Sequence, residues 1–303
     1  MNLRHLRCFV TLAEELHFGR AAERLHIEQS PLSRAIKKLE SDAGARLLER
    51  SSRAVHLTWA GKVFLEDARR ILLVVEQAKG NVRAAATGYR GRLRIAISDG
   101  IAQARLTALL ALCREEEPDI EIGLFETSQL RLLKGLKTDV YDAGFALLDR
   151  TEPGVIAQPV WQDPMVVAIP RRHPLLAHRR VVASEVLNYP LVLRQPEACD
   201  GCNQQVDRLL RSIDAQPQVA ERVLSHDLMM TLVAAGYGVA FCSAAHLAAC
   251  RHPEVVGRPL AGPTLPVTTF LLRPDTMLSE QLSGFIDRAT RIGSSRPPWA
   301  SDA

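Results

Sequence analysis

The sequence predicts a small helix-rich N-terminal domain, one long helix, and a larger α/β body of two subdomains. Three observations predict it. Apolar residues recur at helical spacing through the first 50 residues, a narrow apolar stripe runs over residues 59 to 88, and strand-like and helix-like patterns alternate from Arg92 onward. A length of 303 residues suits about two domains, and 47% apolar with 24% charged residues is a globular composition. No apolar run reaches the roughly 18 residues of a membrane span. The opening "MNLRHLRCFVTLAEEL" has charges through its apolar stretch and no small-residue cleavage site, so a cytoplasmic protein is expected. Six scattered cysteines (Cys8, Cys113, Cys199, Cys202, Cys242, Cys250) fit reduced thiols better than a disulfide framework.

The net charge of +4 is unevenly placed. Residues 1 to 90 hold 16 Lys and Arg against 10 Asp and Glu, while the remainder holds 22 against 24. A basic head on a nearly neutral body is the footprint of a nucleic-acid-binding module joined to something else.

The first element is a helix whose Leu6, Phe9, Val10, Ala13 and Leu16 form one apolar stripe. "GRAAERLHI" follows as a second, with Ala21, Ala22 and Leu25 inward and the two alanines small enough for a third helix to cross closely. A turn at Glu28 and Gln29 leads into "SPLSRAIKKLE", where Ser30 is placed to cap and Pro31 suits the first helical position. Leu32, Ile36 and Leu39 face the core, leaving Ser33, Arg34, Lys37 and Lys38 on the other side. Three short helices ending in a basic one form a helix-turn-helix pattern, whose last helix enters a DNA major groove.

After Gly44, Leu47 and Leu48, then Val55 and Leu57, flank a polar turn and predict a small hairpin. Such a wing would lay Arg50 and Arg53 on phosphates or in the minor groove. Thr58 caps the next helix, with Gly61 in its first turn. There Phe64, Ala68, Ile71, Val75, Ala78, Val82 and Ala85 are spaced alternately by four and three residues, a coiled-coil stripe. It predicts a parallel or antiparallel dimer through a helix roughly 45 Å long.

The order of these elements, with "QSPLSRAIKKLE" and "LLERSSRAVHLTWAG", resembles the start of a LysR-type transcriptional regulator. The likeness is greatest to the branch controlling breakdown of aromatic acids and is dense over residues 1 to 88. Ser30, where that branch often has proline, and Trp59, where a smaller residue is usual, depart from it. The resemblance implies base or phosphate contacts from Gln29, Ser30, Pro31, Ser33 and Arg34, with Lys37 beside them and wing contacts from Arg50 and Arg53. It also implies a homodimer or homotetramer on promoter DNA, contact with RNA polymerase, a small-molecule effector and no cofactor or membrane.

The body begins with "RLRIAIS", a strand, then helix, strand, helix and strand through "VYDAGFALL", as in βαβ units with a parallel sheet. "VIAQPVW" and "PMVVAIP" lead into a second set, from which "LPVTTFLL" and "LSEQLSGFIDRATRI" return to the first. Subdomain I is placed at about 92–160 and 266–292, subdomain II at about 161–265, and a disordered tail at 293–303. Two such lobes form a cleft like that of a periplasmic binding protein, the architecture the resemblance also implies. Ligands in open α/β sheets sit beyond the carboxyl ends of strands, near helix N-termini. That rule selects Ser98, Asp99 and Gly100 with Thr127 and Ser128 on one lip, and Cys199, Cys202 and Asn203 on the other. Hydroxyl oxygens and helix N–H groups there favour a carboxylate, so a small organic acid is the expected effector.

Two other chemistries compete. Cys199 and Cys202 lie near a helix start, where a thiol pKa falls, so redox or metal sensing is an alternative; a peroxide-sensing branch of the family has a reactive cysteine in this region. Cys242, His246 and Cys250 lie four residues apart along one helical face and add a candidate soft-metal group, though a lone CxxC is a weak zinc signal. Catalysis is not expected, an enzyme with a DNA-binding head being the remote alternative. "AAGYGVAF" lacks the third glycine of a dinucleotide loop, and there is no Walker loop, HExxH or GxSxG motif. His173, before Pro174, is expected in an exposed loop.

Overall fold

The computed structural model describes residues 1–50, 55–98, 101, 103–147, 152–196, 200–213, 216–262 and 266–294, without the side chains of Arg50, Gln103, Asp200 and Ser212. The predicted contacts at Arg53, Asp99, Gly100 and Cys199 lie outside the described residues, as does the tail from 295. The chain divides into two compact units, Met1–Thr87 and Gly88–Ala303.

The first unit packs α1 (Leu3–Glu15), α2 (Phe18–Arg24) and α3 (Gln29–Ala43) around Phe9, Leu12, Leu32, Ile36 and Leu39, all fully buried. Ala21 and Ala22 are buried between the helices, as small residues at a close crossing must be. Leu16 departs from the predicted stripe: it ends α1 in the left-handed conformation and is exposed. The start of α3 also differs from expectation. Glu28 is the N-cap and Gln29 the first helical residue, which moves Ser30 to the second position and Pro31 to the third. Pro31 still falls in the first turn, where a backbone N–H has no intrahelical acceptor to lose.

Strands β1 (Leu48–Arg50) and β2 (Val55–Leu57) form the expected antiparallel hairpin, pairing Leu48 with Leu57. Glu40 of α3 accepts from the N–H groups of Leu47 (3.0 Å) and Leu48 (3.1 Å), tying the hairpin base to that helix. Thr58 accepts from Gly61 N–H at the start of α4 (Trp59–Ala86). A Cβ on Gly61 would stand 2.0 Å from Leu47 oxygen, so only glycine lets this helix begin against the hairpin.

The predicted stripe on α4 divides. Phe64 stacks obliquely on Phe9 at 5.3 Å, and Ala68 is fully buried in the same core, so both belong to the head's own packing and not to a partner. Beyond them Ile71, Val74 and Val82 are exposed, Val75 is half-buried and Ala78 is exposed.

In the second unit, β3 (Gly91–Ile97), α5 (Gln103–Glu116), β4 (Ile120–Glu126), α6 (Gln129–Lys137) and β5 (Ala143–Ala146) alternate as read. β6 (Val155–Asp163) and β7 (Met165–Pro170) then cross to the second lobe. That lobe contains a 3-10 turn (Pro174–Ala177), α7 (Ala183–Val186), β8 (Leu191–Arg194), α8 (Asp200–Ser212), β9 (Val219–Val223), α9 (His226–Ala234), β10 (Ala240–Ser243), α10 (Ala244–Cys250) and β11 (Val255–Pro259). β12 (Val267–Pro274) and α11 (Glu280–Ser294) return to the first. The first lobe's sheet has the order β4-β3-β5-β12-β6 and the second lobe's β10-β7-β11, with β8 and β9 paired separately.

The sheets are mixed and not parallel throughout. β3 runs parallel to β4 and β5, but β12 enters antiparallel to β5 and β6, and β7 is antiparallel to β10 and β11. The reason is connectivity: strands that cross once between lobes need no helical crossover within one sheet. Residues 293 and 294, assigned to a tail, are the last turn of α11. There Gly293 lies where a Cβ would meet Val160 oxygen at 1.9 Å. His173 is half-buried, caps the 3-10 turn and lies edge-on to Tyr189 at 4.3 Å. The two glycines of "AAGYGVAF" serve the backbone: Gly236 ends α9 at φ +80°, and Gly238 approaches Pro190 oxygen too closely for a side chain.

Candidate functional site

Two surfaces can do chemistry. The first is the outer face of α3. Gln29, Ser30, Arg34, Lys37 and Lys38 are exposed there, while Pro31 and Ser33 are half-buried. Lys38 pairs with Asp42 at 2.8 Å, which, with the N-terminal amine, holds that carboxyl down at about 2. Arg34 and Lys37 make no ion pair among the described residues, so their charges face outward. A basic helix face on a packed head suits phosphates and base edges.

The second is a chamber of about 40 Å³ in the second unit. Its walls come from β8 (Arg194), α8 (Cys202, Gln205, Val206), α9 (His226, Met229), β10 (Phe241, Cys242, Ser243) and α10 (His246). Met165 and Val267, where the chain passes between the lobes, and Leu147, just after β5, complete it. Of the predicted effector residues, Cys202 lines it. Asn203 is buried on the same helix. Ser98, Thr127 and Ser128 are not in its wall. Ser98 is buried, and its hydroxyl donates to Phe145 oxygen at 3.0 Å, which gives it a structural role at the end of β3. Thr127 is half-buried and Ser128 exposed at the N-cap of α6, making no side-chain cap.

Gln205 is the most committed polar group here. Its Nε2 donates to Leu147 oxygen (2.8 Å) and Thr268 oxygen (3.1 Å), and its Oε1 accepts from Thr268 N–H (3.0 Å). One buried amide of α8 thus binds the backbone just after β5 and on β12, where the chain returns to the first lobe. Gly201 allows the approach, since a Cβ there would lie 2.7 Å from the Leu147 carbonyl carbon. Gln205→Leu leaves two carbonyls and one N–H unanswered, and is expected to destabilise this unit by about 1–3 kcal/mol in urea denaturation. An unchanged midpoint would show that solvent replaces all three bonds.

His226 and His246 lie with ring centroids 4.4 Å apart. Burial first, then His246 and Arg194, push His226 down to about 3. A base held neutral in the fold but protonated below about 6.5 when unfolded loses stability as pH falls from 6.5 toward 3. The slope attributable to it approaches about 1.4 kcal/mol per pH unit, complete stability being present above 6.5. His173, lowered by burial, acts in the same direction. The expected result is therefore a difference: His226→Leu flattens the stability profile between pH 6.5 and 5 relative to the unaltered chain. Parallel profiles would place the acid sensitivity elsewhere.

The cysteines do not behave uniformly. Cys202 is disulfide-bonded, contrary to the expectation of reduced thiols throughout, whereas Cys8, Cys113, Cys242 and Cys250 are free. Burial pushes Cys242 up to about 12 and Cys113 to about 11, and raises Cys250, which disfavours the thiolate a soft metal needs. Among the described residues no group of three or more His, Cys, Asp or Glu is arranged to hold a metal ion.

Sequence reasoning missed Arg194, Gln205, His226 and His246 as a group. A signal existed for Gln205, which falls on the apolar stripe of α8 with Cys202, Val206 and Leu209. Arg194 ends a strand buried along its length.

Comparisons with known proteins agree with this arrangement. Residues 3–62 match the bacterial regulatory helix-turn-helix protein, lysR family, and residues 86–292 match the LysR substrate binding domain. The HTH-type transcriptional regulator YnfL of Escherichia coli (strain K12), an uncharacterized protein, is 36% identical over 80% of this chain and 82% of its own. TfdS of Cupriavidus pinatubonensis is 31% identical over 96% of this chain and 98% of its own. The crystal structure of CbnR complexed with its target DNA superposes with a TM-score of 0.77 at 27% identity, covering 96% of this chain and all of that one. No helix of the described residues is long and apolar enough to cross a membrane. The chain belongs to the LysR family of transcriptional regulators, with a DNA-binding helix-turn-helix head and an effector-binding domain.

Proposed function

We propose that the chain is an effector-responsive regulator that binds promoter DNA as a dimer or tetramer and changes its grip when a small organic acid enters the effector domain. The observation that carries this reading is a chamber walled by both crossings between the lobes, so that an occupant bears on their relative angle. Ile71, Val75, Ala78 and Val82, joined by exposed Val74, form the stretch of α4 left for a second chain. A dimer there sets two α3 helices at a fixed separation for two half-sites, and pairing of effector domains makes the tetramer. Effector binding then alters DNA bending through these interfaces, provided the acid binds one arrangement better than the other. The Acinetobacter lwoffii relative, named a probable cat1 operon transcriptional activator and 31% identical, supports activation; RNA polymerase is the partner such activation requires.

The test is footprinting on operator fragments selected from random duplexes, with and without a panel of aromatic, aliphatic and dicarboxylic acids. A changed footprint with one acid, and none with chloride at equal ionic strength, is the expected result. A footprint indifferent to every acid would overturn the reading.

One observation favours a second reading, redox control: Cys202 is disulfide-bonded in the chamber wall. Two electrons and two protons from a dithiol reductant would open that bond to two thiols. A footprint that changes with reductant in the unaltered chain and not in Cys202→Ser is the outcome it requires.

A further inference from the structure

In the chamber wall, Gln205 is engaged at both ends, by Leu147 just after β5 and by Thr268 of β12. The Ser243 hydroxyl accepts from His246 N–H at 3.1 Å. Arg194 is buried in the wall, and no Asp or Glu is among the described lining residues. His226 Nε2 in the same wall is a buried ring nitrogen with no hydrogen-bond partner, and Met165, Met229, Phe241 and Val267 supply the apolar part of the lining. A buried polar atom left unanswered costs about 1–3 kcal/mol, and its position on a cavity means an incoming group can answer it.

Resting on the effector-responsive reading above, we propose that the effector is a short-chain monocarboxylic acid of about two to three carbons, held in this chamber with its carboxylate on His226 Nε2. Size follows from volume: about 40 Å³ holds roughly three to four water-sized groups, the heavy-atom count of acetate, with propionate at the upper limit. Charge follows from the wall, where a buried guanidinium disfavours an ammonium and suits an anion, and a neutral imidazole N–H can donate to it. The carboxylate accepts from His226 Nε2–H at the end shared with Arg194 and His246, and the alkyl carbons lie among the methionines, Phe241 and Val267. The occupant touches residues at both crossings, which is how its presence reaches the angle between the lobes. An aromatic acid is too large for this space.

Isothermal titration of the full chain with acetate, propionate and benzoate at constant pH and ionic strength, with chloride as control, tests the assignment. Acetate or propionate is expected to bind once per chain and to alter the operator footprint, with affinity falling at least tenfold in His226→Leu and binding lost in Met229→Phe, which fills the chamber. A cooperative urea transition reported by Trp161, retained by both variants, shows that their effector domain folds. Equal binding of short acids to the unaltered chain and His226→Leu would overturn the assignment. A response to benzoate that survives in His226→Leu but is lost in Thr127→Ala would overturn it while leaving the effector-responsive reading in place. No organic acid acting on either variant or the unaltered chain would overturn both.

Discussion

Arg105→Ala is expected to destabilise the effector domain by about 3–5 kcal/mol. Arg105 on α5 is 4% exposed, and its Nε donates to Asp163 Oδ1 at 3.1 Å. Its terminal nitrogens donate to Ile292 oxygen (2.9 Å) and Gln162 oxygen (3.3 Å). One guanidinium therefore joins α5, the end of the first crossing strand and the last turn of α11. Burial pushes the Asp163 carboxyl up, and Arg105 is what opposes that shift. Without Arg105 the carboxylate is stranded at a site from which water is excluded, and two backbone carbonyls lose their donor. Urea denaturation followed by a signal from Trp161, buried nearby and stacked on Phe145, reads this unit. Arg105→Met with Asp163→Leu should cost less than Arg105→Ala, because much of the loss comes from the orphaned charge. If the double variant is the worse of the two, the pair's own attraction dominates.

Arg34→Ala is expected to weaken operator binding by about 10- to 100-fold, or 1–3 kcal/mol, and to relax preference at one base position. Arg34 is exposed on the outer face of α3, opposite Leu32, Ile36 and Leu39, so its removal leaves the head's core intact. Lys37→Ala should instead weaken all duplexes alike and reduce the salt dependence by about one charge. The contrast between the two variants separates base reading from phosphate anchoring. Fluorescence anisotropy on selected and scrambled duplexes, across a range of salt, measures both. Full affinity in Arg34→Ala would move recognition away from this face.

Much of the head was legible because its signals are local. Helical spacing of Leu32, Ile36 and Leu39 marks the buried face of α3, and Thr58 with Gly61 marks the start of α4. Local signals also misled. Ser30 and Pro31 suit a helix start, yet the chain begins α3 at Gln29; a capping preference worth only about 1 kcal/mol is too weak to fix a boundary by itself. On α4 a regular stripe does not say which chain covers it, and Phe9 in the same head covers its first members, Phe64 and Ala68.

The order of strands and helices in the effector domain, and the return of β12 and α11 to the first lobe, were determined by sequence alone, because periodicity and turn chemistry act over a few residues. Tertiary structure decided the rest. The antiparallel entry of β12, the Gln205 clamp on Leu147 and Thr268, and the meeting of Arg194, His226 and His246 join residues tens of positions apart. No local pattern encodes such a meeting. It exists only after the lobes are packed, when burial singles out which polar atoms are answered and which, like His226 Nε2, are left facing a cavity.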